Sequence, residues 1–453
     1  MTPLRGGTIC GGSVGICFNH LFPLVPFSYL LTFLSSLLRV LRVLRVLRGL
    51  KKSVVHSGYV VILIFICCLT AATPTIEAQD AYKRMLDDPR AFNGPAGSVI
   101  DPSSLRSIPI GLFAPIDQDD PAAYNLYRGV RLAVEQANAG GGYRGVGFNL
   151  VRRWATNPWA AGSKEVIRLV YSDRVWAIIG FRDGASHIAQ QIAAKAYVPV
   201  ITPVSSVSSL THTGVPWIFR LPPDDKIQAR LLVKDGIIDK HLKRVGLVSG
   251  TDQNSRAASG EMEKELNQQN ISPVFHFEVP PNLPDLQTIV ERIRGFRPDG
   301  LTLCLQAPVI VKLLKALQCN GMGCPLLMPW VPGVQAKELQ AIYHGPLYMV
   351  EPFKPPDQAK TGGIYQTFSR EFEKRFGVFP SYSAAYAYDA AQMIILSIRS
   401  KGLNRPGIRR GLEELAGYEG VSGSIIWDNG GGNRAHPVIK EYRIIRKGHR
   451  ISK

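Results

Sequence analysis

From residue 108 onward, short apolar runs alternate with longer stretches in which apolar residues recur every three or four positions. In order these read "IPIGLFAPI", "AAYNLYRGVRLAVEQANA", "GFNLVRRWA", "AGSKEVIRLVYSD", "VWAIIGF", "ASHIAQQIAAKA" and "VPVITPV". The short runs lack polar alternation, as strands buried on both faces do, and Val130, Ala133, Val134 and Ala137 fall on one helical stripe. Strand then helix, repeated, predicts a doubly wound parallel sheet. After "WIFRLPPDD" the alternation restarts through "KIQARLLVKDGII", "RVGLVSG", "AASGEMEKELNQQN", "SPVFHFEV", "DLQTIVERIRGF", "GLTLCLQ", "PVIVKLLKALQCNG" and "PLLMPW". Pro222 and Pro223, followed by Asp224 and Asp225, mark one boundary, and the Pro-rich residues 350–358 mark another. "IYQTFSREFEKRF" and "SYSAAYAYDAAQMIILSIRS" then read as helices, and the C-terminal "GVSGSIIWDNGGGNRAHPVIKEYRII" reads as strands around a turn. The pattern predicts two α/β lobes joined by several crossings. A ligand of such sheets sits outside the carboxyl ends of the strands.

A chain of 453 residues with 45% hydrophobic content suits two or so globular domains. Its first part differs from the rest: residues 21–38 are apolar, "RVLRVLRVLRGLKK" is basic and "GYVVILIFICCLTAA" is apolar again. A basic segment, an apolar segment and small residues before Gln79 read as an export signal over residues 1–78, placing the protein outside the cytoplasm, in a periplasm or its equivalent. The apolar run at 60–72 is shorter than the roughly 20 residues of a spanning helix, and an uncleaved N-terminal anchor built from both apolar runs is the alternative. Residues 79–105 have little periodicity and read as a linker. Net charge is +18, but residues 1–78 hold a third of it, and the body has no basic run of five. Nucleic acid is therefore not an expected partner, and a membrane is expected only at the N-terminus. Of seven cysteines, Cys304, Cys319 and Cys324 remain outside the leader; Cys319 and Cys324 can close a small loop around "CNGMGC" after export, leaving Cys304 as a buried thiol. No His accompanies them as a zinc site would require.

From residue 108 onward the sequence has no G-x-S-x-G, G-x-x-x-x-G-K-[ST] or H-E-x-x-H, and no G-x-G-x-x-G follows the first strand. His187 and His212 lack a recognisable nucleophile beside them. No cofactor or metal is expected. What stands out is "VPVITPVSSVSSLT", which begins as a buried strand and ends in Ser205, Ser206, Ser208 and Ser209, hydroxyls placed where a parallel sheet meets its ligand.

Several segments, in this order, resemble the type I solute-binding proteins of branched-chain amino acid ABC transporters and the wider superfamily of receptor ligand-binding regions. They are "IPIGLFAPI", "RGVRLAVEQANAGGGYRGVGFNLV", "VPVITPVSS…LT…WIFRLPPDD" and "GSIIWDNGGGNR", with Trp427 in the aromatic place of the last. The resemblance implies two Rossmann-like lobes joined by three hinge crossings, with residues 106–223 and 355–420 in the first lobe and 224–354 and 421–448 in the second. It implies a non-enzymatic protein that closes on a small molecule and hands it to an ABC permease. Residues at the matching ligand positions are Tyr124, Asp183, Gly184, Ser186, Ser205, Ser206, Asn254, Gln306 and Trp330.

Departures from the family pattern bear on the ligand. The usual paired Ser of the first lobe is replaced by Asp183 and Gly184, where Asp183 either repels a bound carboxylate or caps the following helix. Asn254 and Gln306 stand where aromatic residues are frequent, and "LMPWVPGV" offers Trp330 and Val331 where an acid would meet an ammonium. These side chains suit a small polar or amide-bearing ligand better than leucine. A membrane-anchored sensory ectodomain is the second reading, and an α/β enzyme the third.

Overall fold

The computed structural model describes residues 96–115, 120–155, 161–283, 286–355, 363–434 and 436–443, all within one compact unit of the chain, Ile76–Lys453. The expected export signal or anchor lies outside the described residues. Of the expected linker, residues 96–105 are described. They hold to the body through the Ile100 amide on the Leu403 carbonyl (3.1 Å) and the Asn404 side-chain amide on the Ala96 carbonyl (2.8 Å).

The first set of elements is β1 (Ile108–Phe113), α1 (Pro121–Ala139), β2 (Phe148–Arg153), α2 (Ser163–Ile167), β3 (Ile178–Gly180), α3 (Asp183–Lys195), β4 (Val200–Thr202), α4 (Ser209–His212) and β5 (Ile218–Arg220). The α1 helix starts where Asp120 accepts hydrogen bonds from the Ala122 and Ala123 amides, with Pro121 in the first turn, where its missing N–H costs nothing. All five strands are parallel, in the order β2-β1-β3-β4-β5.

The second set repeats this plan with α5 (Asp225–Leu231), β6 (Val245–Gly250), α6 (Gln253–Gln268), β7 (Phe275–Val279), α7 (Gln287–Phe296), β8 (Gly300–Cys304), α8 (Ala307–Cys319), β9 (Leu326–Met328), α9 (Ala336–Ile342) and β10 (Leu347–Glu351). Every residue of β6 and β8 is buried, as the unbroken apolar runs require of strands covered on both faces. Helices α10 (Ile364–Phe376), α11 (Tyr382–Lys401) and α12 (Arg405–Glu414) follow, and α11 lies against α1, β3 and β4 of the first set. An antiparallel ribbon of β11 (Tyr418–Gly420) and β12 (Gly423–Ile425) leads to β13 (Val438–Tyr442), which runs antiparallel along β10. The second sheet thus has the order β13-β10-β9-β8-β6-β7.

In both sheets the second strand lies outside the first, so the order reverses between β1 and β3 and again between β6 and β8. Those reversals open crevices at the carboxyl ends of the strands. The two lobes meet through the first crossing, where the fully buried Arg220 donates to the Pro222 carbonyl (2.6 Å), the Thr211 hydroxyl (3.2 Å) and Asp224 (3.2 Å). The segment "NGGGN" folds back onto it. The Arg220 amide donates to the Gly431 carbonyl (3.0 Å), the Asn433 amide donates to the Arg220 carbonyl (2.8 Å), and Asp428 accepts from the Gly430 and Gly432 amides (2.8 Å each). A Cβ on Gly430 would stand 2.2 Å from the Thr211 carbonyl oxygen, which explains a glycine there.

Candidate functional site

A cavity of about 70 Å³ lies where the strand ends converge. Its walls come from the start of α3 (Asp183) and the loop after β4 (Ser206), from the starts of α5 (Asp225) and α6 (Asn254), and from the loops after β8 and β9 (Gln306, Trp330). Both sheets therefore contribute, as crevices at strand-order reversals do.

Of the nine residues expected at a ligand, Asp183, Ser206, Asn254, Gln306 and Trp330 border this cavity. Ser186 is turned inward, its hydroxyl shared between the Phe181 carbonyl (3.1 Å) and the Thr202 hydroxyl (3.0 Å). Ser205 is fully buried and its hydroxyl donates to Asp183. Tyr124 lies under the Arg128 guanidinium, 3.9 Å from its ring centre, and neither it nor Gly184 is among the residues bordering the cavity. Of the four serines after β4, Ser206 alone borders the cavity; Ser208 is buried and Ser209 meets His187 (3.1 Å). Cys319 and Cys324 are both free thiols, Cys319 exposed at the end of α8 and Cys324 half-buried, so the expected small loop is not closed. Cys304 is the buried thiol the sequence predicts; it borders the cavity, and burial pushes its pKa up.

Asp183 does not cap its own helix: Arg182 takes the capping position and makes no side-chain cap bond, while Asp183 opens the first turn of α3. Its carboxylate turns to the loop after β4, meeting the Ser205 hydroxyl and the amides of Val207 and Ser206. Burial nonetheless pushes its pKa up to about 7, the amides and the charges of Arg182 and Arg220 pulling the other way. Asp225, 4% exposed, is raised well above the carboxylate range, first by burial and then by the charge of Asp183; the Ser206 hydroxyl opposes that rise.

The second lobe presents polar side chains not used by its own backbone. Gln306 precedes α8 without capping it. Trp330, 7% exposed, packs against Tyr386 of α11 at 5.9 Å between ring centres and borders the cavity, so its packing and cavity-facing roles coincide. Gln228 and Asp225 were not singled out from the sequence. Gln228 is fully buried on α5, donates to the Pro223 carbonyl (3.1 Å) and accepts from the Trp330 amide (2.7 Å), fixing the loop that carries Trp330. In "RLPPDDKIQ" both look like surface residues of a helix start, and only the fold buries them.

Two doubly wound lobes whose strand ends share a cavity define a two-lobed binding protein rather than a fold with a catalytic constellation. The chain belongs to the periplasmic binding protein family, whose model matches residues 108–446. It is 24% identical over 370 residues to an amino acid binding protein of Pseudomonas aeruginosa, covering 77% of this chain and 93% of that one. Among solved structures it is similar to the branched-chain amino acid transporter substrate-binding protein LivJ of Streptococcus pneumoniae in complex with isoleucine, with TM-score 0.65 and 19% identity over 74% of this chain and all of that one. A solute-binding protein of R. palustris in complex with benzoate matches with TM-score 0.64 and 19% identity, over 74% of this chain and 92% of that one. The family is one of solute-binding proteins, not enzymes. Among the described residues no helix is long and apolar enough to cross a membrane.

Proposed function

We propose that this protein is the extracytoplasmic capture component of an ABC importer, taking a small polar ligand into the cavity between its lobes. The observation that carries this reading is that one cavity is walled by strand ends of both sheets, Asp183 and Ser206 from one side and Asn254, Gln306 and Trp330 from the other. Closure around a ligand removes water and strengthens each of these polar contacts. The relatives named for binding amino acids support a ligand of that size, while the replacement of aromatic residues by Asn254 and Gln306 supports one richer in hydrogen-bonding groups than leucine. Family membership supports export, with residues 1–78 as signal or anchor, and a permease as partner.

Thermal unfolding of the purified protein against amino acids, amides, ureas, amines and aromatic acids tests the reading. A ligand at 100 times its dissociation constant stabilises by about 2.7 kcal/mol. Binding through the cavity predicts that Gln306→Ala removes the shift and that Trp330→Phe removes the accompanying change in tryptophan fluorescence. A flat response across the panel, or a shift untouched by both substitutions, defeats it.

A further inference from the structure

The charged groups around the cavity do not balance. Arg182 is paired with Asp120 (3.1 Å), and Arg220 with Asp224 (3.2 Å), which also meets His212 (3.2 Å). Asp183 and Asp225 are left over, each 4% exposed and each bordering the cavity, with the charge of Asp183 raising the cost of ionising Asp225. Asp183 is met by the Ser205 hydroxyl and two backbone amides, whereas Asp225 is met by the Ser206 hydroxyl. A buried carboxylate can accept about four hydrogen bonds, so Asp225 faces the cavity with accepting capacity to spare. Trp330 adds an aromatic surface of the kind that attracts cations.

Resting on the reading of this cavity as the ligand site, we propose that the cleft selects ligands of net positive charge, whose alkylammonium or guanidinium group is held by Asp225 and Asp183. Such a group donates up to three or five hydrogen bonds and supplies the positive charge the pair lacks, while Asn254 and Gln306 are placed to meet the remainder of the molecule. A metal ion fits less well, since among the described residues no group of three or more His, Cys, Asp or Glu side chains is placed to hold one. Anions meet a cavity edge where Asp120, Asp183, Asp224 and Asp225 outnumber Arg182 and Arg220. The positive charge is thus expected where the two lobes join, between Asp183 at the start of α3 and Asp225 at the start of α5.

The test is calorimetric titration of the full protein with agmatine, 1,4-diaminobutane, lysine and a quaternary amine, alongside leucine, benzoate, a neutral amide and calcium. Binding of at least one cationic probe is expected, weakened about tenfold or more in Asp225→Asn. Asp183→Asn serves as the second variant if the first does not fold. The wild type gives an independent reading: near neutral pH a cation that keeps both acids ionised displaces protons, so the measured heat changes with the ionisation enthalpy of the buffer. Binding of leucine, benzoate or the amide with no cation bound overturns the inference and leaves the capture function standing. Binding of calcium in place of the organic cations, or cation binding indifferent to the aspartates and without proton release, also overturns it. A panel flat in every arm removes both.

Discussion

Arg220 holds a position that few arginines occupy: no part of it is exposed, and its guanidinium links the Pro222 carbonyl, the Thr211 hydroxyl and Asp224 at the first passage between the lobes. Removing one partner of a buried ion pair leaves the other charge uncompensated in a poor solvent for it. Arg220→Met is therefore expected to cost roughly 3–5 kcal/mol in urea unfolding. His212 beside Asp224 softens the loss only in part, because its side chain is nearly half exposed and a pair open to solvent is weak. The double substitution Arg220→Met with Asp224→Asn is expected to recover a good part of the stability, since no orphan carboxylate remains. Equal losses in the single and double variants would show that Arg220 matters through packing and its carbonyl contact rather than through charge.

At the scale of elements, the pairing of α1 with α11 depends on one missing side chain. A Cβ on Gly129 would stand 2.2 Å from the Ala384 carbonyl oxygen and 3.1 Å from the Ala387 Cβ. Helix α11 answers with buried alanines, Ala384, Ala385, Ala387, Ala390 and Ala391, so the two backbones approach closely. In a solvated helix a Gly→Ala change stabilises by about 1 kcal/mol. Here Gly129→Ala is expected to destabilise instead, by roughly 1–3 kcal/mol as overpacked cores do, and a rise in the unfolding midpoint would contradict the close contact. The same scale explains two readings that came out differently. The stretch "AGSKEVIRLVYSD" contains a widened π turn over Arg168–Ser172, and "KIQARLLVKDGII" another over Leu232–Ile238. Hydrophobic spacing alone does not separate such turns from regular α-helix.

For the molecule as a whole, the buried acids set a pH dependence. Burial raises Asp183 to about 7 and Asp389 to about 6, and raises Asp225 as well. A carboxyl whose pKa is higher folded than unfolded binds protons more tightly in the folded state, so its ionisation destabilises the fold above that pKa and the penalty disappears as pH falls toward the ordinary carboxylate range. His187, lowered by burial, works in the opposite sense below its ordinary value, as one group against three. The ligand-free protein is therefore expected to melt higher near pH 5.5 than near pH 8. Asp183→Asn should flatten that slope, and Asp389→Asn should flatten its lower part. A melting temperature that falls steadily from about pH 8 to 5.5 would contradict the burial of these groups.

The alternation of unbroken apolar runs with amphipathic stretches determined the two doubly wound lobes, because a strand covered on both faces and a helix covered on one leave different periods in the chain. It also placed the hydroxyls after β4, Ser206 among them, at the carboxyl end of a strand, whereas Asp183, Asn254, Gln306 and Trp330 came from the resemblance to the solute-binding family. What the pattern left undecided was direction. Ser186 and Ser205 have the same hydroxyl as Ser206, yet one turns to its own strand ends and the other to Asp183, since a buried hydroxyl takes whichever acceptor its backbone places within reach. Asp225 and Gln228 read as the exposed start of a helix until distant segments such as the Trp330 loop cover them. Burial is a property of what packs against a residue from far along the chain, and that covering alone makes Asp225 a charge facing a cavity and Gln228 the tether of Trp330.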